Sequence, residues 1–203
     1  MAKRTEPNGL LFLGELLSNG RDFKPKMDEL VSSKSKSFLL ISDRKVVLII
    51  SIIQLIIKYC INNSQVCFLP GTLALASHHG LKVSGKLPPK LKSSKENDGV
   101  AQEAQSNDQL LLQMAEELAY TCYLTFARQP TFLAPEITYF NEAGGFKSSS
   151  NAGSSDFYVK PNDSHYLLRP ETIESLWYLY YVTGNKTYQD WGWNIFQVKN
   201  NKK

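Results

Sequence analysis

Three segments of the 203-residue chain carry the sequence pattern of α-helices, and together they predict a predominantly helical fold. Residues 108–128 place apolar side chains at separations of three, four, seven and eleven positions, which form one stripe of a helix. Residues 169–183 and 186–198 are two further amphipathic segments, separated only by a glycine and an asparagine. Two helices joined by so short a turn form an αα-hairpin.

Single residues indicate where the helices begin and end. Pro70 can occupy the first turn of a short helix that runs to about His78, because an N–H at that position has no helical partner. Pro170 suits the first position of a later helix for the same reason, and Glu171 suits the positive end of its dipole. Gly184 is suited to a left-handed stop after that helix.

Other segments are predicted to be non-helical. Residues 8–31 are typical of strands and turns, because two glycines and a proline interrupt a short apolar run. Residues 80–107 are polar and predict a long surface loop. Residues 141–156 are rich in Gly, Ser and Asn and predict a second surface loop.

Composition and charge indicate a globular chain without a nucleic-acid partner. With 42% hydrophobic and 21% charged residues, wholesale disorder is excluded. The formal net charge is +4, but residues 32–65 alone carry five basic residues and one acidic residue. Taking these from the 23 basic and 19 acidic residues of the chain leaves 18 of each. The remainder is therefore neutral, and no basic patch is indicated.

Residues 32–65 differ from the rest of the chain in composition. The 34 positions hold eight isoleucines and seven serines and contain no Gly, Ala, Pro, Thr or Glu. Gly, Ala and Pro have G/C-rich codons, whereas Ile, Lys, Asn, Phe and Tyr have A/T-rich codons. This bias is typical of a translated intron. The alternative is a buried helix or strand, and because the segment is apolar on every face, periodicity leaves both interpretations open.

No membrane-targeting segment is predicted. The first ten residues, MAKRTEPNGL, are not followed by the apolar stretch of a secretory signal. The longest apolar run, Val46 to Ile57, covers twelve residues, whereas a spanning helix needs about 20. Three cysteines allow one disulfide with a spare thiol or three free thiols. Three glycosylation sequons matter only if the chain reaches the secretory pathway, and they begin at Asn62, Asn162 and Asn185.

Several acidic residues and one arginine form a candidate binding site. Glu171 and Glu174 are three positions apart on a predicted helix, so they share a face, and Arg169 precedes them. Such a group can bind a polar substrate or a cation, but it is also typical of a solvated helix end. Glu136 lies in an apolar setting, where a carboxylate needs a partner or a shifted pKa. A paired structural acid is the alternative there.

Six segments resemble glycoside hydrolase family 47, the class I α-1,2-mannosidases that trim N-glycans. They lie within residues 7–31 and 66–198, the predicted partial catalytic domain. The paired motifs LLRPETIESL and YQDWGW are the most specific. The remaining matches are PNGLLFLGELLSNG, KMDEL, CFLPGTLALA and LAPEITYFN, with longer flanks around the two specific motifs.

The resemblance implies an all-α fold, a partial (α/α)7 barrel with long loops that holds less than half of the family domain. It also implies inverting hydrolysis of terminal α-1,2-linked mannose, with calcium as cofactor and a high-mannose N-glycan on a glycoprotein as partner. Glu171 matches the family's general-base position, and Glu136 is a further acid of the cavity. The expected substrate-binding residues are Arg169, Glu174, Asp28 and, less firmly matched, Glu29.

The resemblance further implies a disulfide between Cys67 and Cys122, which leaves Cys60 as the spare cysteine. Location in the endoplasmic reticulum or Golgi, on the lumenal side of the membrane, is also implied. The family's membrane anchor, general acid and calcium-binding threonine have no counterpart in the sequence, so no metal ligands are assigned to this chain. We therefore expect an inactive fragment of a mannosidase. The alternatives are a lectin-like oligomannose-binding pseudoenzyme and a gene-model fragment without independent function.

Overall fold

A computed structural model describes residues 2–16, 23–28, 66–81, 87–88, 107–142 and 155–197. Within these ranges four α-helices form the main layer. They are α1 (Leu69–His78), α2 (Asn107–Ala127), α3 (Glu171–Thr183) and α4 (Thr187–Phe196). None of the helices in the described ranges is long and apolar enough to cross a membrane. The segment 32–65 and most of the predicted loop 80–107 lie outside the described residues.

Short antiparallel strands accompany the helices. The predicted helical fold is confirmed, but the all-α description leaves out these strands, although strands were predicted for residues 8–31 and are found there. β1 (Ala2–Arg4) pairs with β2 (Leu11–Leu13), and β3 (Glu15–Leu16) pairs with β4 (Phe23–Lys24). A third sheet has the order β5 (Lys26–Asp28), β6 (Ile137–Phe140) and β7 (Phe157–Tyr158). β-branched and aromatic side chains favour a half-buried pleated surface, and the sequence Ile-Thr-Tyr-Phe of β6 is of this type.

The predicted helices are present, with boundaries that differ from the prediction by one or two residues. The helix expected from Pro170 begins at Glu171, and Pro170 occupies the capping position before it. The preceding backbone keeps the helix from starting earlier. Leu168 adopts a left-handed φ of 57°, and Arg169, as the residue before a proline, is disfavoured in the helical region. Gly184 adopts φ 68° after α3, which confirms the left-handed stop.

The helices enclose a hydrophobic core in which α1 packs against α2 and α3. A close approach occurs at Gly71 of α1, whose backbone N–H donates to Ser175 Oγ at 3.0 Å. A Cβ at this glycine would lie 3.1 Å from Ser175 Cα, so the contact between the two helices requires a residue without a side chain. The same hydroxyl donates to the Cys67 carbonyl at 2.6 Å. One serine therefore joins α3 to the start of α1.

A second core lies beneath the sheets, on the other side of α2. Its buried members are Leu10, Phe12, Met27, Cys122, Phe140 and Phe157. The rings of Phe12 and Phe140 stack with their centroids 4.5 Å apart. A disulfide joins Cys67, just before α1, to Cys122 of α2, as the resemblance implies. The disulfide and α2 thus connect the two cores.

A buried carboxylate joins the N-terminal hairpin to the end of α2. Asp156 is fully buried, and its Oδ1 accepts hydrogen bonds from Thr5 Oγ1 at 2.7 Å and from the Asn8 backbone at 2.9 Å. Its Oδ2 accepts from the Asn8 side chain at 2.8 Å and from Arg128 at 2.9 Å. This residue ends the segment 141–156, so the C-terminal end of that predicted surface loop is in fact core.

The pKa of Asp156 follows from this arrangement. Burial by itself raises the pKa of the carboxyl, but the hydrogen bonds from Asn8, Thr5 and Arg128 outweigh burial and hold the pKa below its usual value. A folded-state pKa below the unfolded value of about 3.9 stabilises the fold at neutral pH. That contribution is lost as the pH falls through the folded-state pKa.

Removal of the Asp156 carboxylate is expected to destabilise the fold. Asp156→Ala removes the acceptor of four hydrogen bonds, one from the buried Thr5 and three from the exposed residues Asn8 and Arg128, so we expect the free energy of unfolding to fall by about 3 kcal/mol at pH 7. Urea denaturation measures the change. Asp156→Asn should also flatten the decrease in stability between neutral pH and pH ~3. Asp190→Asn, at an exposed position of α4, is the control and should change stability by less than ~0.5 kcal/mol.

The Cys67–Cys122 disulfide is expected to contribute more to the free energy of unfolding than the Asp156 carboxylate does. The two cysteines are 55 residues apart, and closing a loop of this length removes about 4 kcal/mol of unfolded-state entropy at 25 °C. Urea denaturation of the oxidised and reduced chains should show a difference of this order. Cys60→Ser should leave the free energy of unfolding of the oxidised chain unchanged. A loss of about 4 kcal/mol in that variant would contradict the Cys67–Cys122 pairing.

Candidate functional site

The strongest polar contact of the candidate site joins Arg169 to Glu136. Arg169 Nε donates to Glu136 Oε2 at 3.1 Å, and Nη2 donates to Oε1 at 2.5 Å. The side chains are 15% and 8% exposed, respectively, so most of the pair is removed from water. Two parallel bonds between a guanidinium and a carboxylate fix the orientation of both groups. The structure therefore brings together two of the residues that the sequence singled out.

Backbone contacts hold the two partners in place. Glu136 precedes β6, and its N–H is shared between the carbonyls of Asp163 at 3.0 Å and His165 at 2.9 Å. The Tyr166 hydroxyl donates to the Arg169 carbonyl at 2.9 Å. The segment that leads into α3 is thus tied to the start of β6. Sequence reasoning did not identify these positioning contacts, because they are mostly made by backbone groups, which every residue type has.

Glu171 is the first residue of α3 and is only 8% exposed. Within the described part of the chain its side chain makes no hydrogen bond or ion pair. Its position at the helix N-terminus supplies the positive end of the helix dipole, which stabilises a negative charge. A buried carboxylate with this surrounding and no side-chain partner is unusual and differs from Glu136, whose oxygens are both occupied.

The structure gives fewer contacts for Glu174 and for the two predicted site residues near the N-terminus. Glu174 lies in the first turn of α3 and is half-buried, one turn beyond Glu171 on the same face. Asp28 ends β5, and its backbone pairs with Ile137, the residue after Glu136. The register therefore puts the Asp28 position beside the start of β6. Glu29 lies outside the described residues.

A small cavity borders Glu136. Its volume is about 20 Å³, and its lining includes Cys67 of the disulfide and Thr125 of α2. This space can hold one water molecule. Ligand pockets for small molecules are typically about 300–1,000 Å³, so the cavity is not a sugar pocket by itself.

The residues in the described ranges do not fit a calcium site. No group of three or more His, Cys, Asp or Glu side chains in these ranges lies close enough to hold a metal ion. Calcium takes about six to eight oxygen ligands. We therefore derive no chemical step through the calcium ion that the resemblance implies.

The residue types at this site are suited to a polar, uncharged ligand. A guanidinium can donate to hydroxyl groups, and a carboxylate without a partner can accept from a hydroxyl or a water. Glycosidases use carboxylates in this way on a sugar or on water, and the helical fold with its buried acids is compatible with that class of protein.

The chain belongs to glycosyl hydrolase family 47, whose family model matches residues 57–202. It is 36% identical over 197 residues to the human endoplasmic reticulum mannosyl-oligosaccharide 1,2-alpha-mannosidase, a match that covers 97% of this chain and 18% of the relative. A mannosyl-oligosaccharide 1,2-alpha-mannosidase of Arabidopsis thaliana is 35% identical over 207 residues, covering 98% of this chain and 25% of the relative. The chain thus spans about a fifth to a quarter of these relatives.

The fold is similar to that of the solved α-1,2-mannosidase from Trichoderma reesei. The TM-score is 0.59 at 18% sequence identity, and the match covers 97% of this chain and 29% of the solved chain. The likeness shows that the helices and short strands follow the fold of that enzyme.

Breaking the Arg169–Glu136 pair from one side is expected to destabilise the protein. Glu136→Gln leaves a mostly buried guanidinium without its counter-charge, so we expect a loss of about 3 kcal/mol in the free energy of unfolding. Arg169→Gln should cost a similar amount. The double variant should lose less than the sum of the two, and urea denaturation of all three completes the cycle. Additive losses would show that the two side chains are not energetically coupled.

Proposed function

We propose that the chain supplies part of the sugar subsite of an α-1,2-mannosidase that removes terminal mannose from high-mannose N-glycans. The observation that carries this proposal is the buried carboxylate of Glu171, without a side-chain partner in the described ranges, two residues after the buried Arg169–Glu136 pair. Family membership and the mannosidase names of the relatives support the same substrate class.

Glu171 acts as the general base in this proposal. An inverting glycosidase uses one carboxylate to remove a proton from water while that water attacks the anomeric carbon. A second carboxylic acid protonates the leaving oxygen, about 6.5–9.5 Å away from the first. Glu171 is buried at the first residue of α3, and no side chain in the described ranges occupies its oxygens.

Glu136 is a poor choice for the proton donor, and we assign it a positioning role. Both of its oxygens accept hydrogen bonds from Arg169, so it serves as an acceptor. By fixing the guanidinium, Glu136 orients Arg169 for contact with sugar hydroxyls. Glu174 and Asp28 extend the same subsite, and calcium dependence would rely on ligands beyond the described residues.

The lumen of the endoplasmic reticulum is the proposed compartment. The human relative is named as an endoplasmic reticulum enzyme, and the Cys67–Cys122 disulfide is typical of proteins that mature in an oxidising compartment. High-mannose glycans on newly made glycoproteins are then the substrate. A lectin-like role in the same compartment would use the same Arg169 and Glu174 without turnover.

A chimera tests the assignment of Glu171 in a complete catalytic domain. Residues 155–197 of this chain, which include α3 and α4, replace the aligned segment of the human relative. We expect the chimera to release mannose from an oligomannose glycan, since the grafted segment carries a working base. Glu171→Gln in the graft should lower kcat by about 10²–10⁴-fold, because the amide cannot accept the proton from water.

The controls separate catalysis from folding and from binding. Asp190→Asn lies in the same graft at an exposed position of α4 and should leave kcat unchanged. Equal thermal stability of the graft and of Glu171→Gln would exclude misfolding as the cause of lost activity. A Glu171→Gln chimera that keeps full turnover would refute the general-base assignment. Binding of oligomannose by the unmutated chimera without turnover would favour the lectin-like alternative.

A further inference from the structure

The turn between α3 and α4 presents a glycosylation sequon on the surface. Asn185, Lys186 and Thr187 form the sequence Asn-Lys-Thr, and all three residues are exposed. The turn follows directly from the left-handed stop at Gly184, which directs the chain away from α3. An N-linked glycan is bulky and strongly hydrated, so only a surface position of this kind can carry one in the folded protein.

The side chains of this sequon are exposed and only partly engaged in hydrogen bonds. The Thr187 backbone N–H donates to Asn185 Oδ1 at 3.0 Å, which forms a compact turn. The amide oxygen is thereby engaged, and the Asn185 Nδ2 group makes no hydrogen bond within the described ranges. The Thr187 hydroxyl is likewise without a partner among the described residues. Both groups that define the sequon are therefore accessible together.

The other two sequons are less well placed. Asn162 is exposed, but the Ser164 hydroxyl of its sequon donates to the Pro161 carbonyl at 2.8 Å. The central Asp163 also accepts from Tyr139 at 3.0 Å, in the segment that leads to Arg169. A glycan there would lie close to the candidate site. The sequon at Asn62 falls outside the described residues.

The position of Asn185 is compatible with the candidate site remaining open. Asn185 follows the C-terminal end of α3, whereas Glu171 is the first residue of that helix. At about 1.5 Å per residue, the 13-residue helix separates the two ends by about 20 Å. A glycan on the turn would therefore extend from the end of α3 opposite to the sugar subsite.

We propose that Asn185 is an N-glycosylation site of this protein. In the reaction, Asn185 Nδ2 forms a bond to the anomeric carbon of a lipid-pyrophosphate-linked oligosaccharide. The bond from that carbon to the pyrophosphate oxygen breaks, the lipid pyrophosphate leaves, and the amide nitrogen loses one proton. The Cys67–Cys122 disulfide supports maturation in the oxidising lumen where this donor is used. The inference goes beyond the proposed mannosidase function, and only the lumenal location is common to both.

Translation in the presence of microsomes tests the site without reference to enzyme activity. The full 203-residue chain is fused after a cleavable secretory signal, so that entry into the lumen is imposed. We expect a slower-migrating, protease-protected product that returns to the unmodified mobility after treatment with peptide:N-glycosidase. Asn185→Gln should migrate faster than the unmutated chain by the mobility step of one glycan, and Thr187→Ala should show the same change.

Matched variants make the outcome specific. Thr187→Ser preserves the hydroxyl and should retain the glycan, whereas Asn162→Gln should not change the step assigned to Asn185. The enzymatic conversion of glycosylated asparagine to aspartate at position 185, read by peptide mass spectrometry, identifies the residue directly. Protease-protected chain with unmodified Asn185 would overturn the proposal, and it would leave the mannosidase assignment to be tested by the chimera.

Discussion

The arrangement of the whole structure depends on one buried carboxylate. Asp156 accepts hydrogen bonds from both ends of the N-terminal turn, at Thr5 and Asn8, and from Arg128 at the end of α2. Its own carbonyl accepts the N–H of Asn141, just after β6. A charge in this position is stable only while all of its partners are present. Asp156 therefore connects three parts of the chain that are distant in sequence, and its ionised state contributes to the stability of the fold at neutral pH.

The candidate site is linked to Asp156 through strands β7 and β6. Asp156 precedes β7, which pairs with β6, and Glu136 is the residue just before β6. Glu136 in turn holds Arg169, which lies just before α3 and Glu171. The α3 end of the site is also fixed by Ser175, which bonds to the Cys67 carbonyl next to the disulfide. The position of the base candidate is thus determined from two sides by interactions that do not themselves contact a substrate.

The sequence predicts the helices and the strands of residues 8–31 but not how the strands pair, and the reason is the range of the interactions. The stripe of α2, the stop at Gly184 and the hairpin of α3 and α4 are encoded within a few neighbouring residues. β5 pairs with β6 across a long stretch of chain, so no local pattern indicates that pairing. The burial of Asp156 was missed for the same reason, since its Gly- and Ser-rich neighbours are typical of a loop. Residue type and spacing singled out Glu136, Arg169, Glu171 and Glu174, and the motif resemblance added Asp28 and Glu29, whereas the pairing of Glu136 with Arg169 required the structure.

Spacing alone cannot distinguish the roles of the acidic residues at this site, but their surroundings can. Glu136 and Glu171 are both buried, and from the sequence either could be a structural acid or a reactive one. Glu136 has a guanidinium on both oxygens, which fixes its orientation and engages an acceptor site on each oxygen. Glu171 has a helix N-terminus and no side-chain partner in the described ranges, so its oxygens are available to a ligand. A carboxylate that is buried but left without a partner costs stability, and such a cost is expected where binding or catalysis requires the free group.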